Sequence, residues 1–174
     1  DYLLFDLPPG TGNEQITIID FIGEVDGAVI VTTPQDLALL DARKMISFAR
    51  DSNVPIVGVI ENMSYFIFEG DERTRLEEIV KTELTGMNLS PEDQSKVQGL
   101  CDTILNQEHH IFKTGGGKRL AEELVLPYLG AIPLDTNITT QSDAGMPVVI
   151  SKPDSTATKA FLELAENCHK FLNP

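Results

Sequence analysis

Cysteine is scarce in this sequence of 174 residues, which contains only Cys101 and Cys168. The two cysteines lie far apart and form no C-x-x-C pair, so the sequence gives no sign of a disulfide framework. Proteins without such a framework are typical of reducing compartments, and we therefore predict a cytoplasmic protein.

Long hydrophobic runs are also missing. No stretch of about 18 consecutive apolar residues occurs, so we expect no membrane-spanning helix. Residues 1–6 lack the basic stretch followed by an apolar stretch that marks a signal peptide. The chain begins at Asp1 rather than Met, and an apolar run starts at Tyr2 without a lead-in, so we expect a longer protein to continue upstream.

Positive charge is in short supply. The sequence has 13 Lys and Arg against 27 Asp and Glu, a formal net charge of -14. This balance argues against a broad contact with a nucleic-acid backbone, although it does not exclude one nucleotide held by backbone amides and a metal ion. The hydrophobic fraction of 41% is too high for a disordered chain, and the length suits one compact domain without internal repeats.

What the sequence does contain is a regular alternation of strand and helix signals. Short apolar runs predict strands over 2–6, 27–31, 55–60 and 127–132. Helical periodicity and capping residues predict helices over 13–22, 36–50, 116–125 and 157–172. Continuous apolar strands joined by helices favour an α/β fold with a doubly wound, mostly parallel sheet and helices on both faces.

Residues 69–108 interrupt this alternation. Two amphipathic helices are predicted there, and Ser90 followed by Pro91 marks the start of the second helix. The stretch 69–110 carries ten acidic residues against four basic ones. We interpret 69–108 as a helical insertion within a single domain; its charged face is either a solvated surface or a lid or partner surface.

An acidic residue closes the first predicted strand. Asp6 stands at the carboxyl end of that strand, where open α/β sheets bind ligands, and the stretch that follows is rich in proline and glycine. A carboxylate there suits Mg²⁺ beside phosphate groups, and Gly10 allows a backbone N–H to approach an anion. The alternative is an ordinary strand-ending Asp in a proline–glycine turn.

A second glycine-rich stretch, GGGK at 115–118, is not interpreted as a phosphate-binding loop. That motif requires G-x-x-x-x-G-K followed by Ser or Thr, whereas here the glycines are contiguous and Arg119 follows the lysine. A helix that begins with a close backbone approach fits these residues better.

Several stretches together resemble the Mrp family of MinD/ParA-like P-loop ATPases, which act as iron–sulfur cluster carriers. The first, DLPPGTG at 6–12, looks like the Walker B and switch II segment of that family. The others, in chain order, are TTPQ at 32–35, DARK at 41–44, GVIENMSYF at 58–66, FKTGGGKRLAEE at 112–123, LGAIPLD at 129–135 and SDAGMPVV at 142–149. The resemblance covers nearly the whole chain outside 69–108 and implies a MinD-like P-loop NTPase fold.

The resemblance implies roles on the phosphate side and on the base side of an ATP site. Asp6 matches the Walker B acid, which orients Mg²⁺ through water, and Gly10 matches the switch glycine whose N–H meets the γ-phosphate. Asn62 matches the strand-end Asn that reads adenine. The loop that packs on the base and hydrogen-bonds to it is matched by Pro133, Leu134 and Asp135.

The residues by themselves leave other interpretations of the base side open. Asn62 also suits an Asx turn, and Pro133 also suits a residue that ends a strand. The base-side roles therefore depend on the resemblance rather than on spacing.

Two features of the family are absent from the sequence. No Walker A loop occurs, so these 174 residues lack the phosphate-binding loop of the family. No C-x-x-C follows Phe66, although iron–sulfur clusters require thiolate ligands. Cys101 is a single thiol, and the side chains of the adjacent His109 and His110 diverge on a regular element, so we assign no metal role to them.

The resemblance implies an ATP-binding iron–sulfur cluster carrier or assembly protein that binds ATP and Mg²⁺ and forms a homodimer. Its partner would be an iron–sulfur apoprotein or an assembly protein, with no nucleic acid and no membrane. The alternative is a nucleotide-sensing adaptor that binds a protein through the acidic insertion and carries no cluster. A third interpretation, a positioning ATPase on membrane or DNA, is disfavoured because Glu163 and Glu166 on the last helix would be repelled by anionic lipid.

The missing Walker A loop generates a prediction. We expect the 174-residue chain alone to show no Mg²⁺-dependent ATP hydrolysis above background, because no phosphate cradle is present to stabilise the transferred phosphoryl group. Release of inorganic phosphate from ATP measures this, and turnover above that of a heat-inactivated sample would contradict it.

Overall fold

A computed structural model describes residues 2–8, 10 and 12–173 of the chain. Three strands and eight helices are assigned among these residues. In chain order they are α1 (Asn13–Ile22), β1 (Ala28–Thr32), α2 (Asp36–Asp51), β2 (Ile56–Glu61), α3 (Gly70–Gly86), α4 (Pro91–Leu105), α5 (Gly116–Leu124), β3 (Tyr128–Ala131), α6 (Thr136–Asp143), α7 (Val148–Ser151) and α8 (Thr156–Leu172).

The sheet is parallel, with strand order β1-β2-β3. In the register, Thr32 lies opposite Glu61, and Glu61 lies opposite Ala131. The last residues of all three strands therefore form one edge of the sheet. The predicted parallel α/β class and three of its predicted strands are confirmed, each to within one residue or so at its ends.

Helices cover both faces of the sheet. On one face α2 and α5 pack on β1 and β2, around a core that includes Ile46 and Leu120, each 1% exposed. On the other face α8 packs on β2 and β3, with Leu164 at the centre of the contact. Burying each such aliphatic side chain contributes about 1.5–3 kcal/mol, so these two layers hold the sheet in place.

The prediction of a strand over 2–6 is wrong. Residues 2–8 have no regular secondary structure, and Leu4 in their middle is 90% exposed. A strand needs a neighbour for its backbone N–H and C=O groups, and among the described residues none pairs with the outer edge of β1, where Val31 is 58% exposed. The apolar run identifies a segment suited to a sheet, but it provides no partner. Tyr2 instead contacts the end of α8 through a hydrogen bond between its hydroxyl and His169.

The two helices predicted within 69–108 are confirmed as α3 and α4, which pack against each other as a hairpin. The Ser90 hydroxyl caps α4 by accepting a hydrogen bond from the Asp93 N–H at 3.2 Å. At the base of the hairpin, Phe66 and His109 exchange two backbone hydrogen bonds of 2.8 Å each. This antiparallel pair ties the beginning and the end of the hairpin together.

No helix in the part of the chain that the structure describes has both the length and the apolar character needed to cross a membrane. The short helices α6 and α7, which lie between β3 and α8, were not predicted from the sequence.

A prediction concerns the first turn of α5. A Cβ atom at Gly116 would lie 2.5 Å from the Pro34 carbonyl oxygen, so Gly116→Ala forces backbone apart at a buried contact. We expect this substitution to lower the free energy of unfolding by about 1–3 kcal/mol, as overpacking does elsewhere. Urea unfolding monitored by circular dichroism measures the change.

Gly99→Ala is the matched control, since a Cβ atom at Gly99 within α4 would meet nothing within 4 Å. That substitution should raise the free energy of unfolding by about 0.5–1 kcal/mol through helix propensity. Equal effects of the two substitutions would contradict the close packing of α5 on the segment after β1.

Candidate nucleotide-binding edge

The carboxyl edge of the sheet collects the segments that follow the three strands. β1 ends at Thr32, β2 at Glu61 and β3 at Ala131. The start of α5 reaches the same edge, because the Gly117 N–H donates a hydrogen bond to Glu61. In open parallel sheets ligands bind at this edge, which makes it the candidate site of this chain.

The two segments predicted to form the base side lie next to each other. The Ser64 N–H donates to the Ile132 carbonyl at 3.0 Å, and the Leu134 N–H donates to the Tyr65 carbonyl at 2.7 Å. These bonds continue the pairing of β2 with β3 beyond the ends of both strands. The structure thus brings the loop that contains Asn62 beside the loop that contains Pro133.

Asn62 occupies a tight turn at the end of β2. Its Oδ1 accepts a hydrogen bond from the Met63 N–H at 3.0 Å, and Met63 has a left-handed φ of 54°. This contact reaches the next residue, whereas the Ser64 N–H two positions on donates to Ile132, so the Asx turn that the sequence also allowed does not form. Within the described residues the Asn62 Nδ2 makes no hydrogen bond, so this amide is left with its donor unused.

The three residues of the loop after β3 differ in burial and in hydrogen bonding. Pro133 is buried and Leu134 is half-buried. The Asp135 Oδ1 accepts hydrogen bonds from both the backbone N–H and the Nδ2 of Asn137, each at 2.8 Å. Asp135 thereby caps the N-terminus of α6 and fixes the loop, so part of its hydrogen-bonding capacity is already used.

The predicted phosphate-side residues are not joined to this edge. Asp6 and Gly10 are exposed, and among the described residues neither makes a hydrogen bond to Asn62 or to the loop after β3. Gly10 has a φ of 99°, a conformation that other residues rarely adopt. Pro9 and Thr11, which belong to the same DLPPGTG stretch, lie outside the described residues, as do Asp1 and Pro174.

Gln15 holds the loop around Gly10 and was missed by sequence reasoning. Its side chain is 1% exposed. Its Oε1 accepts a hydrogen bond from the Gly12 N–H, and its Nε2 donates to the Pro8 carbonyl, both at 2.9 Å. A Gln three residues after the cap is the usual second half of a capping box, and that spacing could have identified it.

Glu61 is the second residue that sequence reasoning missed. Its carboxylate is 1% exposed. Oε1 accepts a hydrogen bond from the Ser64 hydroxyl and Oε2 accepts one from the Gly117 N–H, each at 2.5 Å. A charged residue directly after a run of buried apolar residues was the available signal.

The buried carboxylate affects its surroundings. Tyr128, across the sheet on β3, is half-buried. Burial in the first place, and the negative charge of Glu61 in the second, raise the pKa of Tyr128 to about 12. The phenol therefore stays neutral well above ordinary pH.

The GGGK stretch forms a tightly packed helix start, as predicted. Gly115 has a left-handed φ of 65°, and α5 begins at Gly116. A Cβ atom at Gly117 would lie 3.1 Å from the Glu61 Cβ. Gly117 is therefore explained by the close approach of α5 to the end of β2. Gly116 is explained by its contact with Pro34, and Gly115 by its left-handed backbone.

The described residues do not form a metal centre by themselves. No group of three or more His, Cys, Asp or Glu side chains within ranges 2–8 and 12–173 is placed to hold an ion. Cys101 on α4 and Cys168 on α8 are each half-buried, and neither forms a disulfide. Burial raises the pKa of the Cys168 thiol, which disfavours its thiolate.

Comparison with solved structures supports the fold. A nucleotide-binding protein from Archaeoglobus fulgidus, determined in complex with ADP, superposes with a TM-score of 0.53 at 26% identity over 80% of this chain and 43% of that chain. The septum site-determining protein MinD from Pyrococcus horikoshii, complexed with Mg-ADP, gives a TM-score of 0.50 at 22% identity over 85% of this chain and 43% of that one, which bears on the fold alone.

Sequence comparison gives closer relatives. Iron-sulfur cluster carrier proteins from Aquifex aeolicus and Methanocaldococcus jannaschii are 40% and 37% identical, each over 95% of this chain, and the match covers 36% and 45% of their own lengths. The protein of the same name from Saccharolobus solfataricus is 34% identical over 99% of this chain and 47% of its own length. The chain thus spans less than half the length of these curated relatives.

A protein-family model described as the NUBPL iron-transfer P-loop NTPase, of the ParA group, matches residues 1–92 and 94–169. The match includes both base-side loops, the first residues with Asp6, and nearly all of the hairpin. The chain therefore belongs to the ParA/NUBPL family of iron-transfer P-loop NTPases.

Proposed function

We propose that this chain is the adenine-side part of an ATP-binding iron–sulfur cluster carrier or assembly protein of the Mrp type. The observation that carries the proposal is the pairing of the Asn62 loop with the loop 133–135 at the carboxyl edge of the sheet. The family membership and the relatives named as iron-sulfur cluster carriers support it.

On the base side, the unused Nδ2 donor of Asn62 is suited to an acceptor nitrogen of adenine. The half-buried Leu134, next to the buried Pro133 in the same loop, supplies an apolar surface for the flat base, and Asp135 holds the loop by capping α6. The roles of these four residues are those that the resemblance implies.

On the phosphate side, we propose that Asp6 orients Mg²⁺ through water and that the Gly10 N–H meets the γ-phosphate. Asp6 supplies one carboxylate, so the remaining Mg²⁺ ligands would be water molecules and phosphate oxygens, the set that this ion favours beside nucleotides. The proposed homodimer would shift between two states as nucleotide binds and is hydrolysed.

The iron–sulfur cluster is the cargo in this proposal, and the described residues do not supply its ligands. The stretch after Phe66 has structural contacts instead of thiolates: the rings of Phe66 and Phe68 lie 4.9 Å apart, and Phe68 also contacts the His109 ring. The carboxylate of Glu69 accepts hydrogen bonds from the hydroxyl and the N–H of Thr156 at the start of α8. No cluster chemistry is therefore assigned to residues of this chain.

Asn62→Asp tests the base side. The aspartate keeps an oxygen for the Met63 N–H and loses the amide donor, so we expect ADP to bind about tenfold more weakly, the loss of roughly one hydrogen bond. Asn62→Ala, which adds no charge, should weaken binding similarly. Isothermal titration of ADP into each folded variant measures the affinities.

Asn88→Asp is the matched control, because Asn88 is exposed in the turn between α3 and α4. It should bind ADP as the wild type does. Wild-type affinity in both Asn62 variants would remove Asn62 from the nucleotide site.

A second candidate function is the nucleotide-sensing adaptor. It is favoured by the position of Phe66, whose backbone pairs with His109 at the base of the hairpin and also bridges to Leu134 in the base-side loop. The α3–α4 hairpin is therefore attached directly to the segment proposed to contact adenine. In the adaptor this hairpin would bind a protein partner, and no cluster would be carried.

Removing the hairpin distinguishes the two functions. Because Phe66 and His109 form a closed antiparallel pair, residues 67–108 can be replaced by the dipeptide Asn-Gly, which favours a two-residue hairpin turn. The comparison is made in the complete protein, because the described residues of this chain supply no cluster ligands. For a carrier we expect the complete protein and the complete protein without the hairpin to bind equal amounts of iron and sulfide after anaerobic reconstitution, and to bind ADP within about twofold of each other, since neither ligand set includes the hairpin.

If neither form binds iron and sulfide, the result favours the adaptor. Their loss only from the variant would show that the hairpin contributes a cluster ligand, contrary to the proposal above.

A further inference from the structure

Glu61 places a carboxylate in a buried position at the end of β2, and packing alone does not explain why a charged residue stands there. Moving a carboxylate out of water is costly unless hydrogen bonds replace its hydration. Here both oxygens are satisfied, one by the Ser64 hydroxyl and the other by the Gly117 N–H, each at 2.5 Å. The side chain thus connects the end of β2 with the start of α5 and with the loop that leaves the strand.

Ser64 is held from three sides. Its hydroxyl binds Glu61, its N–H donates to the Ile132 carbonyl at 3.0 Å, and its carbonyl lies 3.2 Å from the His110 Nδ1. Ser64 therefore links the Glu61 carboxylate, through its own backbone, to the end of β3 and to the segment that follows the α3–α4 hairpin.

Only Asn62 and Met63 lie between the two bonded residues. The Asn62 N–H donates to the Thr32 carbonyl at 2.7 Å, and the left-handed φ of Met63 reverses the chain. A two-residue turn whose flanking side chains are bonded to each other has little freedom to reorient. The direction of the Asn62 amide therefore depends on the bond between Glu61 and Ser64.

We propose that Glu61 is the positioning residue of the base side: by bridging Ser64 and the start of α5, it fixes the turn that presents the Asn62 amide to adenine. This inference rests on the proposed nucleotide-binding function. Glu61 does not touch the base in this arrangement and acts only through Asn62. Its contribution should therefore appear in the choice of base rather than in affinity for nucleotides in general.

The choice between adenine and guanine nucleotides tests this role. ¹H–¹⁵N NMR titrations of the complete protein with ADP and with GDP, followed at the Asn62 side-chain amide and the Ser64 N–H, give both affinities on folded protein. In the wild type we expect ADP to bind more tightly than GDP and to shift the Asn62 signals. In Glu61→Ala, where both donors lose their acceptor, we expect ADP affinity to fall about tenfold and GDP affinity to fall less than about threefold.

Glu61→Gln provides the conservative rescue, since its amide oxygen can accept from the Gly117 N–H while its amide N–H donates to the Ser64 hydroxyl. It should keep both affinities within about threefold of the wild type. Glu83→Gln, at an exposed position on α3, is the matched control and should change neither.

Two results would overturn the positioning role: an equal loss of ADP and GDP affinity in Glu61→Ala, which indicates a structural role only, or unchanged values for both. If Glu61→Ala yields a collapsed spectrum, Ser64→Ala takes its place, since it removes one bond and retains the Gly117 contact. A preserved base preference in Ser64→Ala then overturns the role. A wild type whose Asn62 signals ignore ADP contradicts nucleotide binding itself, and the positioning role falls with it.

Discussion

Parallel pairing of β2 with β1 on one side and with β3 on the other is the constraint on which the rest of the structure depends. Because β2 lies between the other two strands, its residues contribute to both cores: Val59 to the core under α2 and α5, and Val57 to the core under α8. The same pairing places the ends of all three strands at one edge. Asn62 and the loop 133–135, the proposed base side, reach that edge through this arrangement rather than through local sequence.

At that edge the protein buries a negative charge where an apolar residue would fill the space at lower cost. The carboxylate of Glu61 is stable there because two donors, the Ser64 hydroxyl and the Gly117 N–H, are aimed at it. Gly117 permits this approach because a side chain there would press on Glu61 itself. The glycine-rich start of α5 and the buried acid are thus one structural unit.

Family membership specifies the function more closely than the described residues do. The chain belongs to the iron-transfer P-loop NTPases, yet the described residues contain neither a phosphate cradle nor thiolates arranged for a cluster. What they do contain is the sheet edge proposed to contact the base and a helical hairpin attached to it through Phe66. This division is consistent with a chain that spans less than half the length of its curated relatives.

The sequence by itself determined the features that depend on neighbouring residues. Helical periodicity and caps such as Ser90 placed most of the helices, and apolar runs placed three strands to within about a residue, because the signals for capping and burial lie within one turn or one strand. The parallel class followed from the alternation of these elements. The motif resemblance then gave the family.

Only the tertiary structure decided what depends on partners distant in the chain. The run that begins at Tyr2 has the composition of a strand but stays exposed, since strand formation requires a neighbour to complete its hydrogen bonds. The direction in which the Asp6 carboxylate points depends on whether this run pairs with a neighbouring strand. The burial of Glu61 could not be predicted from the sequence either, because its second donor, Gly117, lies 56 positions away and reaches it only when α5 packs on the sheet.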